Sequence, residues 1–326
     1  MKKILKALLV IVILLVLVAG AAAGYVYFFL PDVGEASADI KIEATPQRLE
    51  RGKYLAEHVA VCIDCHSTRD WTQFSGPMEP GSYGKGGELF SKEMGFPGNF
   101  YARNITPYGI GKWTDGEVFR AVTSGVSKDG SALFPLMPYQ HYGISDKEDV
   151  YALIAYIRSL PPVQNDVQRS KPEFPVNLLM HLAPARPKFV TRPAESDSVH
   201  YGEYLVNMAS CMTCHSKENK GEIIKGTEFG GGRQFPFPAG IVRSANITKD
   251  ASGIKDWTRE QFIARFRKYQ DTSYHIPKVG PNDFNTPMPW TMYARMKETD
   301  LAAIYAYLRT VKPLDNKVEK FTPKKS

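Results

Sequence analysis

Cysteine is scarce in this chain, four residues in 326, and histidine is little commoner, at seven. Charge of one sign is scarce as well once the two ends are set aside. The formal net charge is +7, but Lys2, Lys3 and Lys6 supply +3 and the segment from Lys317 another +3, leaving +1 for residues 7–316. A near-neutral body with no basic stripe binds phosphate backbones poorly, which excludes a nucleic-acid partner. No residues are spaced as a Ser-His-Asp set. The glycine-rich stretches Gly84-Lys85-Gly86-Gly87 and Gly230-Gly231-Gly232 do not lead from a strand pattern into a helix, so they read as loops rather than phosphate cradles. With 43% hydrophobic and 23% charged residues the composition is globular, which excludes a disordered chain and a polytopic membrane protein. The length is enough for two domains.

Charge is absent altogether between Ala7 and Leu30. About 24 such positions make a helix of roughly 36 Å, enough to span a bilayer core. Lysines before the run and none just after it place the rest of the chain outside the cytoplasm. The rival reading is a cleaved signal peptide, with Ile4–Val18 as its apolar region and Ala21-Ala22-Ala23 as its small-residue site. Against cleavage, apolarity resumes at once as Tyr25-Val26-Tyr27-Phe28-Phe29-Leu30, which is anchor material with interfacial aromatics. Residues 1–31 are therefore read as a single-pass anchor in the inner membrane, with the body on the periplasmic side.

In an exported chain four cysteines would ordinarily mean two disulfides. Their placement says otherwise: Cys62-Ile63-Asp64-Cys65-His66 and Cys211-Met212-Thr213-Cys214-His215 both spell C-x-x-C-H, the attachment sequence of c-type haem. Two thiols three positions apart can form thioethers with the two vinyl groups on one side of a porphyrin, and the next histidine is carried under the iron. A redox dithiol needs no histidine there, and a zinc site would need both pairs to converge. The reading is two covalently bound haem c groups, held by Cys62 and Cys65, and by Cys211 and Cys214, with His66 and His215 as iron ligands.

The rest of the chain is also written twice. Arg51-Gly52-Lys53-Tyr54-Leu55 matches Tyr201-Gly202-Glu203-Tyr204-Leu205, and Asn104-Ile105-Thr106 recurs as Asn246-Ile247-Thr248. Trp113-Thr114 recurs as Trp257-Thr258, Leu136-Met137-Pro138-Tyr139 as Pro287-Met288-Pro289-Trp290, and the stretch from Asp149 to Arg158 as that from Asp300 to Arg309. Two copies, each with its own cofactor motif, make a tandem of domains rather than a solenoid. The boundaries are domain 1 at 46–162, a linker at 163–196, domain 2 at 197–313 and a basic tail at 314–326. Apolar spacing predicts helices over Gln47–Val61, Thr114–Thr123 and Thr258–Lys268, and along the stripes Val150–Ile157 and Leu301–Leu308. Ser145-Asp146-Lys147-Glu148 reads as a capping box. The stretches 67–102 and 216–242 read as long loops, and Val176–Leu182 as a short apolar patch that either packs between the domains or touches the membrane.

These motifs resemble class I cytochrome c domains, and the chain is similar to bacterial membrane-anchored di-haem cytochromes c and to the cytochrome subunits of membrane-bound dehydrogenases. Those subunits usually carry three haem motifs; this chain has two. The resemblance implies a mainly α fold of two tandem cytochrome c domains with long loops around haem, preceded by one transmembrane helix. It also implies a methionine on the far side of each iron, in a loop before the last helix, and Met137 and Met288 stand there. Met292 and Met296 compete for the second site, and His141 and His275 are polar rivals. Most of the ten methionines are core residues on this reading. Trp113 and Trp257 would pack at the haem edges, and Arg103 and Arg243 would face propionates. The function implied is relay of single electrons between a membrane dehydrogenase or quinol-oxidising complex and an acceptor such as a terminal oxidase. The chain is read as a carrier, not an enzyme, since two six-coordinate irons leave no open position for a peroxidase-like reaction.

Overall fold

The computed structural model describes residues 1–270 and 274–324. Helix α1, Lys2–Phe29, is the one helix among them long and apolar enough to cross a membrane, and its apolar side chains are exposed along its length. Two units of matching design follow.

The first unit opens with α2, Pro46–Tyr54, capped by the Thr45 hydroxyl and continued by one widened turn of π geometry over Leu55–Val59. The widening has a cause in the sequence. Eleven positions separate Arg51 from Cys62, whereas ten separate the matching Tyr201 from Cys211, and a single inserted residue in a helix is absorbed as a π bulge. Then come α3, Cys62–Cys65; α4, Pro107–Ile110; α5, Asp115–Ser124; α6, Tyr139–Tyr142; and α7, Lys147–Ser159. The linker holds α8, Val176–Leu179. The second unit repeats the plan in α9, Ser198–Met208; α10, Cys211–Cys214; α11, Arg259–Arg267; α12, Trp290–Tyr293; and α13, Glu298–Leu308.

The helix starts obey local chemistry. Thr114 and Thr258 each close a reciprocal capping box, with Glu117 and Gln261 three residues on. The cap of α7 corrects the sequence reading: Asp146, not Ser145, accepts from the backbone N–H groups of Glu148 and Asp149. Ser145 is buried one residue earlier and donates to the His141 carbonyl.

In each unit the first and last helices cross at a glycine. A Cβ on Gly52 would lie 1.9 Å from the Ala152 carbonyl oxygen, and one on Gly202 would lie 2.0 Å from that of Ala303. The repeated Gly-x-Tyr-Leu patch is thus a backbone-to-backbone contact. Around these crossings Leu55, Ile63, Leu153 and Ile154, and then Leu205, Leu301, Ile304 and Leu308, form one continuous apolar cluster across both units.

Each unit also carries a small antiparallel sheet whose last strand comes from the segment that follows it. Gly98–Tyr101 pairs with Leu89–Phe90 and with Lys171–Pro172 of the linker. Gly240–Arg243 pairs with Gln234–Phe237 and with Phe321–Pro323. The segment read from sequence as a basic tail contributes a strand.

The units face each other about an approximate two-fold relation. The Tyr54 hydroxyl donates to Asp300 at 2.6 Å and accepts from the Lys297 N–H; the Tyr204 hydroxyl donates to Asp149 at 2.7 Å and accepts from the Asp146 N–H. Each first helix thereby caps the start of the other unit's last helix.

Candidate functional site

The two C-x-x-C turns, α3 and α10, are each entered through a residue in the left-handed region, Val61 at φ +44° and Ser210 at φ +53°. That turn reverses the chain so that both cysteines and the following histidine lie on one short helical stretch. The four thiols are unpaired with one another, and burial pushes those of Cys62, Cys65 and Cys211 up to about 12. The pairs are thiols at helical i, i+3 spacing, the arrangement that two vinyl groups require.

The histidines are held alike. Nδ1 of His66 lies 2.7 Å from the Arg103 carbonyl oxygen, and Nδ1 of His215 lies 2.8 Å from that of Ala245. A carbonyl only accepts, so the proton sits on Nδ1 and Nε2 keeps its lone pair for a metal. Burial holds both imidazoles below the usual histidine range, against the pull of those carbonyls, which keeps them neutral.

The repeated Asn-Ile-Thr motif is what fixes those two carbonyls. Asn104 Oδ1 accepts from the Thr106 N–H and hydroxyl, while its amide donates to the Val163 carbonyl at 2.8 Å. Asn246 does the same with Thr248 and with the Leu314 carbonyl, also at 2.8 Å. The glycine-rich loops press on the same peptides. Gly86 and Gly231 donate to the carbonyls of His66 and His215, at φ of +69° and +71°. A Cβ on either would come within 2.5 Å of the backbone following Arg103 or Ala245. Ser67 and Ser216, fully buried just after the histidines, accept from the N–H groups of Gly84 and Phe229. Sequence reading passed over these serines; their only signal was recurrence at one place in both repeats.

Met137 and Met288 are half-buried and pack on the same apolar cluster as Cys62 and Cys211. Each sits before a proline that opens the short helix α6 or α12. The competitors lie elsewhere: Met292 and Met296 are buried in the core, as is Met208. His141 has both ring nitrogens engaged, by Asn207 Oδ1 at 2.8 Å and Thr213 Oγ1 at 3.0 Å, and His275 is on an exposed loop. Trp113 and Trp257 pack on the cluster, and their carbonyls accept from Arg158 and Tyr305. Arg103 and Arg243 are occupied by the chain itself, Arg103 by the linker carbonyls of Val167 and Gln168, and Arg243 by Thr322 Oγ1 and Glu319.

A donor set of paired thiols and an imidazole with a free Nε2, with a half-buried methionine packed on the same apolar cluster, fits haem c in both units. The two sites are also neighbours. His141 of the first unit touches Thr213 inside the second motif, and His58 binds the Met292 carbonyl of α12. The phenols of Tyr142 and Tyr293 are pushed well above 10, first by burial. After burial, Tyr142 is raised by Cys62, Cys65 and Tyr293, and Tyr293 by Cys211, Cys214, Asp64 and Cys65. Each hydroxyl donates to a carbonyl two residues before its own unit's motif, Tyr142 to Ala60 at 3.2 Å and Tyr293 to Ala209 at 3.1 Å.

Residues 199–312 match the family model for cytochrome c. Similar proteins include the cytochrome c subunit of the quinone-dependent alcohol dehydrogenase of Komagataeibacter europaeus, 27% identical over 83% of this chain and 58% of that protein. The fructose dehydrogenase cytochrome subunit of Gluconobacter japonicus is 30% identical over 81% of this chain and 52% of its own length. A diheme cytochrome c-type protein of Cereibacter sphaeroides is 28% identical over 78% of this chain and 83% of its own. The chain thus spans a little over half the length of the two dehydrogenase subunits.

Proposed function

We propose that this chain, which carries a cytochrome c domain and is related to cytochrome c subunits of dehydrogenases, is a membrane-tethered two-haem carrier that passes single electrons from a membrane dehydrogenase to a further redox protein. The observation that supports it best is the doubling of one proximal design, His66 on the Arg103 carbonyl and His215 on that of Ala245, in units that meet where His141 of the first touches Thr213 of the second motif. Covalently bound haem c supplies a one-electron Fe(III)/Fe(II) couple.

The chain's own residues do the rest. Cys62, Cys65, Cys211 and Cys214 would hold the haem groups covalently, His66 and His215 would offer them neutral Nε2 lone pairs, and Met137 and Met288 would supply thioethers, which favour the ferrous state. The shared apolar core packs against Cys62, Cys211, Met137 and Met288 and joins the two units. Helix α1 confines the body to the outer face of the inner membrane, near membrane-bound donors, which raises effective concentration without charge steering. Around its outer end the linker adds apolar surface. His181 binds the Leu30 carbonyl, and Leu179 and Leu182 are exposed beside it.

Acid-acetone extraction of denatured protein tests the reading. Two haems are expected to stay with each chain, and the oxidised protein to show the weak thioether-to-iron band at the red end of its visible spectrum. Met137→Ala should remove that band from one haem only. A single retained haem, or a band untouched by both Met137→Ala and Met288→Ala, overturns it.

A further inference from the structure

The two facing methionines are not held alike. Among the described residues, the Met137 carbonyl takes one hydrogen bond, from the Tyr139 N–H of its own loop. The Met288 carbonyl takes the equivalent bond from Trp290 and a second one, from the Ser75 hydroxyl of the other unit, at 2.5 Å. Ser75 is 1% exposed, and its Oγ also accepts from the Trp290 N–H at 3.1 Å. One hydroxyl therefore bridges the residues on either side of Pro289.

A whole segment of the first unit takes part. The Ser75 N–H donates to Asn285 Oδ1 at 2.8 Å, and the Asn285 amide donates back to the carbonyls of Trp71 and Gln73. Phe74 N–H donates to the Pro277 carbonyl, Val279 N–H donates to that of Thr72, and the Phe74 ring stacks on Tyr269. To make these contacts Ser75 adopts φ +68°, a strained value for a residue with a side chain, and such strain persists only where the surroundings enforce it.

The segment is braced from its own motif. Asp64, inside the first C-x-x-C-H, pairs with buried Arg69 at 3.0 Å. Arg69 pairs with Glu88 at 3.0 Å and lies over the Trp71 ring, and Trp71 Nε1 donates to the same Glu88. The Trp71 ring in turn covers Gly76 so closely that a Cβ there would lie 2.8 Å away. In the second motif the residue matching Asp64 is Thr213, which bears no charge for such a brace.

We infer that the 71–76 segment is a clamp, with Ser75 as its positioning residue, that holds the second unit's methionine loop in its ligating position. The second centre then receives a hydrogen bond from the first unit at the carbonyl of its own methionine, whereas the second unit's contacts with the first methionine loop fall further on, at His141, and none reaches the Met137 carbonyl among the described residues. The inference rests on the assignment of Met288 as a ligand.

Competition by imidazole tests it in the full-length ferric holoprotein, with loss of the thioether band as the readout. Ser75→Ala and Ser75→Gly both delete the hydroxyl, and glycine also relieves the φ +68° strain, so it covers the case in which alanine fails to fold. Either variant is expected to raise the imidazole affinity of one haem about tenfold, the equivalent of about 1.4 kcal/mol, and to leave the other unchanged. In Met137→Ala, where only the second centre keeps the band, the Ser75 effect should persist; in Met288→Ala it should vanish. If Met288→Ala leaves the full band, the ligand assignment fails and the clamp with it. If Met288→Ala removes half the band while the Ser75 variants titrate like wild type, the ligand stands and the clamp is refuted.

Discussion

Ser210 stands at φ +53° immediately before the second attachment motif, and its buried hydroxyl has no hydrogen-bond partner among the described residues. Glycine would remove both costs at once: it occupies the left-handed region freely and leaves no orphaned oxygen. Ser210→Gly is therefore expected to stabilise the holoprotein by about 1 kcal/mol in denaturant titration. A variant less stable than wild type would show that the hydroxyl contributes something beyond its local geometry. The side chains of the site were the most legible part of the sequence, because the C-x-x-C-H pattern fixes the spacing of Cys62, Cys65 and His66. Their backbone partners were not. The carbonyl of Arg103 leaves no trace in residue type, and only the recurrence of Asn-Ile-Thr marked the place.

Among the elements, the helix crossings were visible as a pattern before their cause was. Gly52 and Gly202 recur because the Ala152 and Ala303 carbonyls leave no room for a methyl group. Gly52→Ala and Gly202→Ala are each expected to cost about 3 kcal/mol or more, since the clash is with backbone rather than with a flexible side-chain end. Thermal melts of the two variants should show matching losses if the crossings are equivalent; a neutral substitution at either position would rule out close contact there. Capped helices such as α5 and α11 were readable from threonine and apolar spacing. The π turn was not, since one inserted residue leaves the apolar pattern nearly intact. The strand Phe321–Pro323 was hidden by its lysine-rich setting.

At the scale of the whole molecule, the interface carries an unequal pair of carboxylates. Asp149 is buried, but Arg51 at 2.7 Å, together with the Tyr204 hydroxyl and Arg192, outweighs its desolvation and holds it below the usual carboxylate range. Asp300, with Tyr201 where the first unit has Arg51, is pushed up by burial. The two therefore act oppositely with pH. The stability from Asp149 is complete above its unfolded pKa near 4 and is lost as the pH falls through its lower folded value. Asp300 costs stability progressively as the pH rises above its unfolded pKa near 4, and the cost is complete once the pH exceeds its raised folded value. Asp149→Asn leaves Arg51 buried and underpaired, and is expected to cost about 3 kcal/mol near pH 7, with the deficit shrinking below pH ~4 as wild type protonates too. Equal deficits at pH 7 and pH 3 would exclude the ion pair as the cause. Asp300→Asn should cost far less and remove no acid dependence of this kind.

The borrowed strands have a consequence for the order in which the molecule is made. A strand cannot pair before it has been synthesised, and chains emerge from the N-terminal side first. The sheet of the first unit closes once Lys171–Pro172 has emerged, while the second unit still lies unmade. The sheet of the second stays open until Phe321–Pro323 arrives. The first unit's sheet can thus close before Cys211 and Cys214 have emerged, whereas the second unit's sheet closes only well after its own cysteine motif has been made.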